Sequence, residues 1–144
     1  MESINKRLRR LRLFDVIIQS KRDEIMQLRS GISKSPQFSS EPKGGKIGNS
    51  NENLNVRIIN RTQEIQLEIE QMYVDRDRLV DLIDSLDDPI ESMVLRLFYI
   101  NCKSWKEIAI QMNGHPKTFQ NIRRSGMINL EKLDSQNSQN IHLV

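Results

Sequence analysis

The chain has 144 residues, a formal net charge of +3 and one cysteine, Cys102. Apolar residues make up 37% of it and charged residues 28%, which favours helices that each bury one apolar stripe over a domain with one thick core. A single cysteine excludes a disulfide within the chain. Neither His115 nor His142 lies near that cysteine or near a carboxylate cluster at ligand spacing, so we expect no metal site and no cofactor.

The sequence predicts neither a membrane span nor a secretory leader. No apolar run approaches the roughly 18 residues that a span needs. The first apolar stretch, Leu11–Ile18, is interrupted by Arg12 and Asp15, which is not the pattern of a signal peptide. We therefore expect a cytoplasmic protein that does not contact a membrane.

Residues 1–34 predict a basic N-terminal helix. Its apolar side chains recur at spacings of three, four and seven residues from Leu11 to Ile32, which is the period of a coiled-coil seam. The block carries nine Lys or Arg against four Asp or Glu, a net charge of +5. Residues 35–53 are rich in Ser, Gly, Pro and Asn, which predicts a flexible linker.

Residues 54–87 predict an acidic helix with a heptad repeat. Its apolar side chains recur every seven residues, at Ile58, Ile65, Met72, Leu79 and Leu86. Residues 54–88 carry four Lys or Arg against nine Asp or Glu, a net charge of −5. Two helices of opposite charge joined by a linker favour an antiparallel hairpin within one chain. The alternative is a dimer whose helices pair between chains, and a homo-oligomer through these helices is compatible with the hairpin.

The basic run Lys6–Arg12 has two interpretations. It resembles a nucleic-acid-binding patch. It also has the charge needed to pair with the acidic second helix, and we favour that interpretation because the two blocks balance.

Residues 88–133 predict a helix-turn-helix domain, and the polar residues 134–144 predict a disordered tail. Residues 89–133 carry seven Lys or Arg against three Asp or Glu, a net charge of +4. Asp88 before Pro89 is an N-terminal helix signal, and we expect Asn101 to end that first helix in the left-handed conformation.

Ser104 and Glu107 form the sequence pattern of a capping box, which starts a second helix. Ala109 is small enough for close helix crossing, and Gly114 eases the turn before a third helix. The apolar positions of the third helix, from Phe119 onward, leave a polar and basic face outward. An ordinary helical hairpin would not need a polar and basic outward face, so the presence of this face favours DNA binding.

We expect Gln120 and Asn121 to read base edges, with nearby phosphate contacts from other polar side chains of the motif. The full set of expected DNA-binding residues is Lys117, Thr118, Gln120, Asn121, Arg123, Arg124, Ser104 and Lys106. Asp84, Asp87 and Asp88 have no second acidic cluster beside them in the sequence, so we expect no catalytic residues and no enzyme.

The segment from Ile90 to Leu133 resembles region 4 of sigma factors. The resemblance rests on Val94–Tyr99, Ser104, Glu107–Ala109, Phe119, Ile122, Met127 and Leu130. The order of a basic helix, a polar gap, an acidic helix and this motif resembles small phage transcription regulators of the ArpU/RinA type. The chain departs from the sigma pattern at Gly114, at His115, where Ser or Thr usually caps the recognition helix, and at Gly126, where alanine is common. These departures predict a weaker third helix.

The helical patterns and the resemblance together predict an all-α protein: a long N-terminal helical hairpin followed by a sigma region-4-like helix-turn-helix bundle. The resemblance implies double-stranded DNA as partner, a contact with RNA polymerase, and activation of late phage genes in the bacterial host cell. No segment resembles the part of sigma factors that melts promoter DNA. The alternatives are a phage small terminase subunit, which also joins a helix-turn-helix to coiled coils, and a coiled-coil interaction protein without a DNA role.

Overall fold

The computed structural model describes residues 2–34 and 46–142, and these residues form helices and connections without a strand. The helices are α1 (Ile4–Arg12), α2 (Phe14–Lys34), α3 (Lys46–Asp84), α4 (Pro89–Leu95), α5 (Trp105–Gln111) and α6 (Pro116–His142). A π-helical segment, Arg96–Ile100, continues α4. The prediction of an all-α fold is confirmed. None of the helices described is long and apolar enough to cross a membrane.

Two helices replace the single N-terminal helix predicted for residues 1–34. The helix is interrupted at Leu13, whose backbone N–H is shared between the carbonyl oxygens of Arg9 and Arg10, at 3.2 and 3.1 Å. A shared N–H of this kind tightens the last turn of a helix and ends it.

Two other predicted boundaries also change. Helix α3 begins at Lys46, so residues 46–53 are helical and do not belong to a linker. No proline occurs between Pro42 and Pro89 to stop that helix. The rest of the predicted linker, residues 35–45, lies outside the described residues.

The predicted tail is helical as far as the structure describes it, because α6 extends to His142. Leu133 packs against the core, and the Asp134 carboxylate pairs with the Arg7 guanidinium of α1 at 3.3 Å. These contacts tie the helix down beyond residue 133, where the polar composition predicted fraying.

The chain forms two compact units. Unit 1 combines Met1–Phe14 with Val74–Val144, and unit 2 is Asp15–Tyr73. The predicted basic N-terminal block is therefore divided between them. Helix α1 belongs to the same unit as the helix-turn-helix, 90 or so residues further along the chain.

The core of unit 1 joins residues that are far apart in the sequence. Its buried side chains are Ile4, Leu8, Leu11, Leu79, Leu82, Ile83, Leu95, Tyr99 and Leu130. They come from α1, the end of α3, the α4 region and α6. Burying a leucine or isoleucine contributes about 1.5–3 kcal/mol, so α1 is an integral part of this unit.

Unit 2 is the predicted antiparallel hairpin. Lys21 Nζ lies 2.8 Å from Glu68 Oε2, and Glu24 Oε2 lies 3.0 Å from Arg61 Nε. As the position on α2 increases, that of its partner on α3 decreases, so the helices run in opposite directions. Ile25, Ile58 and Ile65 are buried in this hairpin.

The charged pairs of the hairpin shift two pKa values. The hydrogen bond from Lys21 lowers the pKa of the Glu68 carboxyl, and hydrogen bonds with Glu24 and Glu64 raise the pKa of the Arg61 guanidinium. Both shifts favour the charged forms. Because these side chains are only half-buried and still reach solvent, the pairs select the partner helix more than they add to stability.

Two cations of the basic run Lys6–Arg12 do not pair as the interpretation that we favoured from the sequence predicts. The apolar face of α1 does share a core with the end of α3. Arg7, however, pairs with Asp134 of α6, and Arg10 pairs with Glu2. Balanced block charges predicted the wrong partners, because the pairing of individual cations depends on the rotation of each helix.

Candidate nucleic-acid interface

The helix that precedes the motif begins as predicted. Asp88 Oδ1 accepts hydrogen bonds from the backbone N–H groups of Ile90 and Glu91, at 2.8 and 3.4 Å, and Pro89 occupies the first turn. The end of this helix differs from the prediction. It closes with a π-type bond from the Asn101 N–H to the Arg96 oxygen, at 3.0 Å, and Cys102 rather than Asn101 takes the left-handed backbone, with φ 56°. The extra residue of the π turn moves the left-handed position one step along the chain.

Helix α5 has the capping box that the sequence predicts. Ser104 Oγ accepts a hydrogen bond from the Glu107 N–H at 3.2 Å, and Glu107 Oε2 accepts one from the Ser104 N–H at 3.4 Å. Ile108 and Ala109 are buried on the inner face of α5. The small Ala109 side chain therefore lies where the helices pack.

The turn between α5 and α6 depends on two residues. Asn113 adopts the left-handed conformation, with φ 56°. A Cβ on Gly114 would lie 2.7 Å from the ring atoms Cε2 and Cζ of Phe119, so only glycine leaves room for that ring. The buried Phe119 ring thus packs directly over the turn at Gly114.

Replacing Gly114 with alanine is expected to lower the free energy of unfolding by about 1–3 kcal/mol, because the added methyl group overpacks a buried ring. Thermal unfolding followed by circular dichroism measures the effect. Gly31→Ala is the matched control, since its Cβ would lie at an ordinary 3.7 Å from Ile58 Cδ1 and alanine favours the helix. Equal stability of the Gly114 variant and the wild type would contradict the close packing of Phe119.

His115 caps α6, although its side chain is not that of a usual capping residue. Its Nδ1 accepts a hydrogen bond from the Lys117 N–H at 3.2 Å, and its carbonyl oxygen accepts one from the Thr118 N–H at 3.0 Å. An imidazole nitrogen therefore caps this helix, where the sequence pattern usually has a Ser or Thr hydroxyl.

A second apolar core holds the motif together. Its buried members are Val94, Leu97, Ile108, Ala109 and Phe119. Each of the three helical segments contributes, so α6 is held against α4 and α5 by its N-terminal half. This anchoring determines which face of α6 remains outside.

The outward face of α6 consists of Lys117, Gln120, Asn121 and Arg124, which lie three or four residues apart and so share one side of the helix. Lys117, Asn121 and Arg124 are exposed, and Gln120 is half-buried. The neighbouring Thr118 is exposed as well. The structure therefore brings together five of the eight residues that the sequence predicts to bind DNA.

Arg123 does not belong to that face. Its Nη1 donates a hydrogen bond to the Tyr99 hydroxyl at 3.0 Å and lies 3.7 Å from Met127 Sδ. Helical spacing contained a signal for this placement, because Arg123 is four residues from both Phe119 and Met127 and so faces inward with them.

Ser104 and Lys106 lie apart from the outward face, at the start of α5. Both are exposed, but Ser104 Oγ is already an acceptor in the capping box. Lys106 lines a shallow groove with Ile110 and Pro116, between α5 and the turn. Exposed polar and cationic side chains of this kind can contact the phosphate groups of a nucleic acid.

Sequence reasoning missed the role of Glu91 in positioning α6. Its side chain is only 6% exposed, and Asn129 Nδ2 donates to both carboxylate oxygens, at 2.7 and 2.9 Å. Nearby, a Cβ on Gly126 would lie 3.3 Å from Leu95 Cδ1, so glycine allows α6 to approach α4 closely. The position of Glu91 three residues before the buried Val94 indicated its inward face.

A comparison with family models matches residues 32–131 to the family described as Protein of unknown function (DUF1492). That match covers more than half of the chain. The chain belongs to the DUF1492 family. The DUF1492 match includes α3, α4, α5 and most of α6, and it leaves out α1. No curated protein and no solved structure matches the chain.

The described part of this DUF1492 protein contains no group of three His, Cys, Asp or Glu side chains placed to hold a metal ion. What the arrangement offers chemically is hydrogen bonding and positive charge. The outward face combines two amides with two cations on a helix whose other side is packed. Such a surface can bind a polyanion and form hydrogen bonds with groups along it.

Proposed function

We propose that this protein binds double-stranded DNA sequence-specifically through α5 and α6 and acts as a phage transcription regulator. One observation carries the proposal: α6 is packed on one side by Phe119, while Lys117, Asn121 and Arg124 are exposed on the other. A helix held in this way can enter the major groove without rearrangement of the domain.

The side chains of the outward face suit the two kinds of contact that such a helix makes. Gln120 and Asn121 each have an amide, which can form two hydrogen bonds with the N6 and N7 atoms of adenine. Lys117 and Arg124 supply positive charge for phosphate groups or for guanine. We therefore propose Gln120 and Asn121 as base readers, with Thr118 beside them.

The phosphate backbone would be held by the start of α5, where Lys106 is exposed. Ser104 stands next to it but has its hydroxyl in the capping box. Arg123 is left out of the direct reading set, since its guanidinium is bonded to Tyr99.

The regulatory role rests on the resemblance of Ile90–Leu133 to sigma region 4. In this proposal the protein is an activator of late genes that contacts RNA polymerase as well as DNA, and its α2–α3 hairpin can pair with a second copy. It does not melt promoter DNA itself. The competing role is that of a small terminase subunit, which would assemble as a ring on genome ends.

Retention on duplex DNA tests the proposal. The full chain is expected to hold fragments of phage and host DNA at low salt and to release them as salt rises, with log K falling linearly against log salt. Sequencing the retained fragments should show one enriched site. Absence of salt-sensitive retention would exclude DNA binding, and a ring of eight or more chains in solution would favour the packaging role.

A further inference from the structure

The C-terminal end of α1 lies against the connection that leads into α5. The Cys102 thiol donates to the Arg12 carbonyl oxygen at 3.1 Å, and the guanidinium carbon of Arg12 lies 3.9 Å from the centre of the Phe98 ring. This short helix is outside the family match and yet borders the helix-turn-helix directly.

Phe98 is the centre of an arginine–aromatic cluster, formed by Arg12, Phe98, Trp105 and Arg123. The Trp105 ring stacks on Phe98 with centres 4.3 Å apart and an interplanar angle of 17°. The Arg123 guanidinium lies 5.8 Å from the centres of both rings. Two guanidinium groups, one from α1 and one from α6, therefore meet at one aromatic pair.

The two cations of this cluster contact aromatic rings and form no ion pair with the described carboxylates. Within the described residues, neither Arg12 nor Arg123 has a carboxylate within ion-pair distance, whereas Arg7 and Arg10 of the same helix each have one. Arg123 Nε is buried and has no hydrogen-bond partner. Contact with aromatic rings orients these cations but does not cancel their charge.

Arg9 adds a second cation to the Arg12 side of α1. It is exposed and lies one turn before Arg12, so the two side chains project from one face of the helix. Two cations on one face of a helix can stabilise the same bound anion, and a guanidinium forms paired hydrogen bonds with phosphate oxygens.

We propose that Arg9 and Arg12 of α1 bind the phosphate backbone of the duplex that α6 reads, with Arg123 strengthening the positive field behind them. The proposal rests on the proposed function and extends the DNA-binding surface from the helix-turn-helix to the N-terminal helix. These contacts fix the position of the protein on DNA and carry no base preference.

Binding of the full chain to two duplexes, one with the enriched site and one unrelated, tests this assignment across a salt series. Arg9→Gln and Arg12→Gln are each expected to reduce the slope of log K against log salt by roughly 0.9, equally on both duplexes. Arg12→Lys keeps the charge and should keep the slope. Lys132→Gln is the matched control, because Lys132 is an exposed cation of unit 1 that lines a groove with Asp87 and Asp88.

The possible results separate this inference from the function on which it rests. If the wild type binds neither duplex, the proposed function fails. If the wild type binds but the Arg9→Gln variant keeps the wild-type slope of log K against log salt, α1 does not contact phosphate. A slope that changes on only one of the two duplexes also contradicts the proposal. The Arg12→Gln variant also loses the contact with the Phe98 ring, which can loosen the fold, and Trp105 fluorescence reports such loosening. The Arg9→Gln variant does not remove that contact and therefore tests the phosphate contact by itself.

Discussion

Leu8→Ala is expected to lower the free energy of unfolding of unit 1 by about 2–5 kcal/mol, the range for emptying a well-packed leucine site. Leu8 is fully buried, at 0% exposure, in a core that also contains Tyr99 and Leu130. Loss of this side chain loosens α1 from α6, so DNA affinity should fall together with stability. Denaturant titration followed by the fluorescence of Trp105, the single tryptophan of the chain, measures unit 1.

Leu13→Ala is the matched control for Leu8. It removes the same atoms five residues further along, but Leu13 is 53% exposed, so its effect should stay within about 0.5 kcal/mol. Similar stabilities of the Leu8 and Leu13 variants would mean that α1 does not contribute to the core of unit 1.

Gln120→Ala and Asn121→Ala are expected to weaken binding to the enriched DNA site by about 1–3 kcal/mol each, or roughly five- to 150-fold. On unrelated DNA the effect should be small, because phosphate contacts supply most non-specific affinity. Competition binding with both duplexes measures the difference. Arg124→Ala should instead weaken both duplexes alike if its side chain holds a phosphate.

Asn137→Ala controls for loss of an exposed amide from α6. Asn137 is exposed and lies roughly 24 Å from Asn121 along the same helix, at 1.5 Å per residue. Its replacement should leave both affinities unchanged. Normal binding to the enriched site by both the Gln120 and Asn121 variants would show that another face of the protein reads the bases.

Helix starts could be predicted from the sequence because their hydrogen bonds are local. The Asp88 and Ser104 side chains accept hydrogen bonds from backbone N–H groups two or three residues away, so the sequence pattern by itself specifies the contact. The heptad spacing of Ile58 and Ile65 was equally reliable, since periodic apolar positions define the buried side of a helix.

The packing of individual side chains could not be predicted in the same way. The Arg123 guanidinium donates a hydrogen bond to the Tyr99 hydroxyl, and the Phe119 ring leaves room only for a glycine at position 114. Block charges suggested α3 as the partner of the basic run, whereas Arg7 reaches Asp134, near the other end of the chain.

By itself, the sequence determined the all-helical character, the capped starts of α4 and α5 and the polar character of one face of α6, and it favoured an antiparallel hairpin over pairing between chains. Only the tertiary structure decided that α1 shares a core with the helix-turn-helix and that Arg12 and Arg123 meet at Phe98. The physical reason is the range of the interactions. Caps and periodicity act within a few residues, whereas a core and an aromatic cluster depend on how distant helices rotate against one another.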